Sequence, residues 1–253
     1  MALFRLRQSA RFLGTFLFLV CLTAHMGYAQ QKDVVPSNQQ WIQYYNQTKL
    51  SKQWTWMTDG GFRWRDQMRH PAQYVVRTGL GYRLHENIRV AAGMAHLGSY
   101  TNDRLRRIEW RPYQEIQSSH TYGRIDVVHR FRAEQRFLKT LALAEAPATH
   151  SFNHRLRYRL MVTVPLLKLS ARRPYPKLVL DVGDELFINL GRNIVYTVFD
   201  QNRLLIGPTL QLHENLDLAL TYNHQFASTT TPGRYNRDGI LWLGVRHKLD
   251  LTR

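Results

Sequence analysis

Ionised side chains of both signs occupy alternate positions through the middle of this chain. Arg130, Arg132, Glu134 and Arg136 take every second place, and so do Arg155, Arg157 and Arg159. Glu109, Arg111 and Glu115 keep the same period, as do Asp181 and Glu185, and Arg203 follows. A period of two gathers side chains on one face of an extended strand, whereas a helix would scatter them. Guanidinium and carboxylate groups facing one another in an interior must pair, because an unpaired buried charge costs several kcal/mol. One chemistry open to these residues is therefore a salt-bridge lattice that fills the interior. The other is an anion-selective constriction, since eight arginines face five acids in this set and surplus guanidiniums lining a pore select anions. The two can coexist.

Other residue types invite different chemistry. Ser118, Ser119 and His120, and the pair Asn223 and His224, offer hydroxyl, imidazole and amide groups of the kind that outer-membrane lipid hydrolases carry on a barrel wall. No nucleophile-elbow motif accompanies them. The eleven histidines include no HExxH pair, and His129 and His154, beside the arginine ladders, read as strand residues. No catalytic residue, metal or cofactor is assigned. Arg104, Arg106 and Arg107 fall in a connection expected between Thr101 and Arg107. They suit either a solvated basic loop or charge-assisted hydrogen bonds to lipid phosphate.

The elements that must position these groups begin after a leader. Arg5, Arg7 and Arg11 precede an apolar run from Phe12 to Leu22, and Gly27 and Ala29 follow. That is the layout of a cleaved signal peptide over residues 1–29, and the run is shorter than the roughly 20 residues a membrane helix needs. The single cysteine, Cys21, leaves with it. A formal charge of +17 falls by those three arginines to +14 in residues 30–253, expected to form one domain. An exported basic chain meets lipid and lipopolysaccharide phosphates and the outer-membrane assembly machinery rather than nucleic acid.

From Trp41 onward, eleven segments rich in aromatic and branched residues alternate with turn signals: 40–49, 54–66, 73–84, 88–100, 108–119, 124–138, 152–164, 177–190, 202–212, 216–226 and 238–250. Short connections (50–53, 85–87, 120–123, 213–215) alternate with longer ones (67–72, 101–107, 139–151, 191–201, 227–237), and 165–176 is long where a short one is due. Such alternation suits an antiparallel up-and-down transmembrane β-barrel whose short turns face the periplasm. Mean hydropathy of −0.40 is no obstacle, because lipid-facing and lumen-facing residues average out along each strand. Trp41, Tyr44, Trp54, Trp56, Trp64, Tyr82, Trp110, Tyr158, Tyr222 and Trp242 fall near segment ends, where an interfacial girdle would place them. Single-chain bacterial barrels have even strand numbers. Residues 31–39 are therefore expected to supply a twelfth strand, with ten as the alternative. A soluble periplasmic β-sandwich that binds a ligand is the competing fold, and the final residues lack the usual terminal aromatic.

Four stretches carry a family resemblance: Glu109-Trp110-Arg111, Arg130 to Phe137, Arg155 to Arg159, and Phe199-Asp200-Gln201-Asn202-Arg203. With them the chain resembles the uncharacterised domain of unknown function 2490 over roughly residues 38–250. The resemblance implies an outer-membrane barrel of a Bacteroidota-type bacterium and supplies no activity.

Overall fold

The computed structural model describes residues 32–142, 147–191 and 197–252, so the expected leader lies outside the described residues. All of the regular structure in them is β. Eleven strands follow in order: β1 (Asp33–Lys49), β2 (Trp54–Arg65), β3 (His70–His85), β4 (Ile88–Thr101), β5 (Arg104–Tyr122), β6 (Ile125–Thr140), β7 (Thr149–Lys168), β8 (Lys177–Leu190), β9 (Phe199–His213), β10 (Leu216–Ser228) and β11 (Arg234–Asp250). Consecutive strands pair antiparallel, and β1 meets β11 to close one barrel. A two-sheet sandwich does not form.

The expected twelfth strand is absent from the described residues. No turn interrupts the chain between residues 33–39 and the next segment, so they lengthen β1 instead. With eleven strands, closure must bring together two that run the same way. Contacts across the seam show this: Ser37 donates to Asp238, the Trp41 and Trp242 rings lie 5.1 Å apart, and Lys49 pairs with Asp250 at 3.0 Å. Partner numbers rise together, as only a parallel pair allows. Strand β1 thus enters at the opposite end from the one where β11 leaves, contrary to the even-numbered expectation.

Strands run further than expected into the connections. Between β4 and β5 only Asn102 and Asp103 remain, both at positive φ (50° and 59°), the backbone that closes a two-residue hairpin and that Asn and Asp tolerate. The matching His-Glu-Asn texts at 85–87 and 213–215 both become two-residue turns. The connection 169–176 keeps the anomalous length.

One close approach shapes the wall. Gly79 and Gly93 sit opposite each other on β3 and β4, and the Tyr113 ring from β5 lies over them. A Cβ at Gly93 would stand 2.3 Å from the Thr78 carbonyl oxygen and 2.5 Å from the Tyr113 hydroxyl. Facing glycines leave a gap in the pleat, and an aromatic ring fills it.

Candidate functional site: the lumen

The side chains of the alternating ladders converge inside the barrel. Strand pairing sets Arg130 opposite Arg159, Arg132 opposite Arg157 and Glu134 opposite Arg155, while Glu115 faces Arg132 and Glu185 faces both Arg159 and Arg203. Two like-charged arginine pairs lying directly opposite would repel, so the carboxylates between them decide whether the arrangement holds.

Glu134 is the central acid, 1% exposed. It accepts from Arg155 Nη2 at 2.6 Å and Arg157 Nη1 at 2.6 Å, with Arg111 at 3.7 Å and Arg132 at 4.0 Å. Glu185 accepts from Arg130 at 2.5 Å and Arg157 at 2.7 Å. Glu115 takes two bonds from Arg132, at 2.9 and 2.6 Å. Glu109 joins Arg111 and Arg136, each at 2.7 Å. Asp200 adds an acid outside the expected set, bonding Arg155 at 2.9 Å. Glu109, Glu134 and Glu185 thus each meet arginines from two or more strands, whereas Glu115 meets two from β6 and Asp200 bonds one; such charge-assisted bonds are short and directional.

The ladder residues do not all behave alike. Asp181 stands apart from the lattice, accepting from Thr163, Thr209 and Arg246. Arg203 approaches Glu185 no closer than 4.0 Å. Arg159 makes no ion pair among the described residues, and its Nε has no partner.

Alternation also redistributes the other candidates. Arg104 and Arg106 lie on β5 itself, with Arg107 turned to the opposite face, where it lines the lumen. The three do not form one loop cluster, because the expected connection shrinks to Asn102 and Asp103. Ser118 Oγ and His120 Nε2 lie 2.7 Å apart, but among the described residues no hydrogen bond orients the second ring nitrogen. Ser119 points the other way, to Gln117. Asn223 is fully buried while the adjacent His224 occupies the opposite face. No hydrolytic triad assembles from these residues.

Two of the expected girdle aromatics turn inward. Trp41 is 2% exposed, and it lines the lumen with Trp242. Tyr44, Trp54, Trp56, Trp110 and Tyr222 do face outward. Both exceptions belong to the seam, where they pack against each other edge to face.

A cavity of about 1080 Å³ remains inside, reaching from Arg65 and Asn236 near one end to Gln117 and Lys248 near the other. Among the described residues its lining holds fifteen Arg and Lys side chains but six Asp and Glu. Several of the cations escaped the sequence reading: Arg63, Arg77, Arg89 and Arg246 sit on strands without a run of alternating charge. Arg77 pairs with Asp59 at 2.8 Å. Arg63 and Arg89 instead reach glutamines, Arg63 Nη1 to Gln73 Oε1 at 2.6 Å and Arg89 Nη2 to Gln117 Oε1 at 3.1 Å. The lumen is therefore two-sided in charge. Arginines on β6 and β7 are mostly bonded to carboxylates, whereas Arg63 and Arg89 are held by neutral amides with no ion pair among the described residues, and Arg203, held by Gln225, meets a carboxylate only at the 4.0 Å of Glu185.

The family model described as "Protein of unknown function (DUF2490)" matches residues 38–236. The chain belongs to this family. Among solved structures, this DUF2490 chain is similar to two variants of the ferric enterobactin receptor of Pseudomonas aeruginosa, at 11% and 10% identity and a TM-score of 0.33 in each case. The matches cover 71% and 70% of this chain and 36% and 35% of the receptors, so it spans about a third of their length. No curated protein matches.

Proposed function

We propose that this DUF2490 protein is an outer-membrane β-barrel, exported by a cleaved leader, whose arginine-biased lumen admits small anions. The observation that carries the reading is the charge imbalance around the 1080 Å³ cavity, where among the described residues fifteen bases meet six acids in the lining and two more, Glu134 and Asp217, just behind it. Field lines from fixed charges concentrate in a low-dielectric cleft and raise the local concentration of counter-ions. A ring of guanidiniums is the side-chain arrangement that selects anions. The lattice around Glu134 holds the wall in shape, and the cations left over set the sign of the potential.

Location in the outer membrane is supported by the wall. Leu80, Phe131, Leu156, Leu204, Leu220 and Leu241 point outward and are well exposed, an apolar surface that lipid covers and water does not. Basic side chains at the strand ends, Arg104 and Arg106 among them, lie where lipid or lipopolysaccharide phosphates would meet them.

The test is to express the full chain with its own leader in a Gram-negative host and fractionate the envelope. The reading expects recovery with outer membranes and a mobility difference between boiled and unboiled samples on a denaturing gel. Proteoliposomes should then take up a small anion faster than a cation of equal size. Recovery in the soluble periplasm with one mobility would overturn the location. Equal uptake of both ions would overturn the lumen reading.

A further inference from the structure

We propose that Arg63 and Arg203, both held against the Trp41 ring, form a binding site for a divalent oxyanion, phosphate or a phosphomonoester. The site deepens the lumen reading and rests on it in one respect, that the ligand must reach the cavity.

The two arginines come from distant strands, β2 and β9, and are brought together by barrel closure. Arg63 Cζ lies 3.8 Å from the Trp41 ring centre and Arg203 Cζ 5.2 Å from it. The sum of those distances, 9.0 Å, is the farthest apart the two guanidinium carbons can be. Arg203 Cζ also stands 4.8 Å from the Phe187 ring. Aromatic faces attract cations without supplying a counter-charge, so the rings help to hold two repelling guanidiniums within 9.0 Å of each other without neutralising them.

The hydrogen bonds tell the same story. Arg203 Nε donates to Gln225 Oε1 at 2.8 Å, as Arg63 does to Gln73. Each amide is itself fixed: Gln73 Nε2 donates to Ser99 at 3.0 Å and Gln225 Nε2 to Asp238 at 2.9 Å. With its amide turned to face the donors, Gln201 accepts from Arg203 Nη2 at 3.0 Å. An amide oxygen orients a guanidinium without neutralising it. Arg63 Nε, buried, has no partner at all.

The contrast with the opposite wall decides the matter. There Arg132 and Arg155 each give two bonds to one carboxylate, and a glutamate at position 73 or 225 would have done the same for Arg63 or Arg203. Glutamine at both leaves Arg63 with no ion pair among the described residues and Arg203 with Glu185 only at 4.0 Å, and both side chains line the cavity. Planar guanidinium forks match tetrahedral oxyanions bidentately, and two guanidiniums with no close carboxylate match a divalent one. Chloride has no directed lone-pair geometry to reward such forks, and a carboxylate brings a single charge.

Isothermal titration of the purified full-length protein in detergent, with inorganic phosphate and separately with a sugar phosphate, tests the site. Saturable binding of either supports it, and the tighter of the two names the source. Gln73→Glu and Gln225→Glu keep both arginines and supply the missing carboxylates, so each is expected to remain heat-modifiable and to weaken binding at least tenfold. Should either fail to fold, Arg63→Lys, which keeps the charge and loses the fork, is expected to weaken binding as well. Absence of saturable binding, or equal binding by folded Gln73→Glu and Gln225→Glu, would overturn the site. The assay needs no membrane: anion uptake without phosphate binding leaves the lumen reading standing and removes the site, and binding without uptake does the reverse.

Discussion

At the scale of single residues, Glu134 sets how firmly the lumen holds together. It contacts four arginines from three strands, and it is 1% exposed. Removing one partner from a buried ionic cluster costs about 3–5 kcal/mol, because the others are left uncompensated in a low dielectric. Glu134→Gln is therefore expected to destabilise the barrel by about that much, read as a lower temperature at which the folded band disappears on a gel. Asp200→Asn, at the edge of the same lattice and bonded to one of its arginines, should cost less than half as much. The lattice was legible in the sequence because a two-residue period over two adjacent strands prints both the face and the charges. Arg63 and Arg203 were not legible as a pair. Arg63 lies in an aromatic and glycine-containing strand whose adjacent charge on the same face, Arg65, is a second cation rather than an acid, and its partners Gln73 and Trp41 carry no electrostatic signature.

Strand-level reading succeeds where alternation is strong and fails at ends and at closure. The segments 177–190 and 216–226 were found nearly to the residue, while 108–119 proved to be Arg104–Tyr122, since polar residues at strand ends resemble loops until a partner strand supplies hydrogen bonds. The seam was invisible because nothing in β1 or β11 alone reveals which strand lies beside it. Parallel pairing there makes a definite expectation. Ser37→Cys with Asp238→Cys, and separately Lys49→Cys with Asp250→Cys, should each form a crosslink that changes mobility on a non-reducing gel. Success at both ends requires the parallel seam, and success at neither would return an even-stranded closure. Gly93→Val tests the wall at β3 and β4. The added side chain meets the Thr78 carbonyl and Tyr113, and overpacking of this kind costs about 1–3 kcal/mol.

For the molecule as a whole, two surfaces of opposite character share one sheet. The outward face is apolar at Leu204, Ile206, Leu220 and Leu241, and the inward face carries the charges. Leu204 lies mid-strand on β9. An arginine there should cost about 2–4 kcal/mol if lipid surrounds the wall, and close to nothing if water does. Comparing Leu204→Arg in bilayers and in denaturant-free detergent would show which. The amphipathic strands and the turn signals between them made the barrel readable from the sequence, whereas the expected alternation of connection lengths is absent from its first half, where 66–69 matches 50–53 and 102–103 matches 86–87. The arginine excess was already legible in the sequence at eight to five, and three-dimensional pairing adds which arginines the acids leave without a close partner.

The most direct measurement of the central claim is the reversal potential of the purified protein in a planar bilayer under a potassium chloride gradient. An arginine-biased lumen predicts a potential displaced toward the chloride equilibrium value, with the displacement reduced in Gln73→Glu and Gln225→Glu. A potential displaced toward the potassium value, or current indifferent to those substitutions, would contradict it.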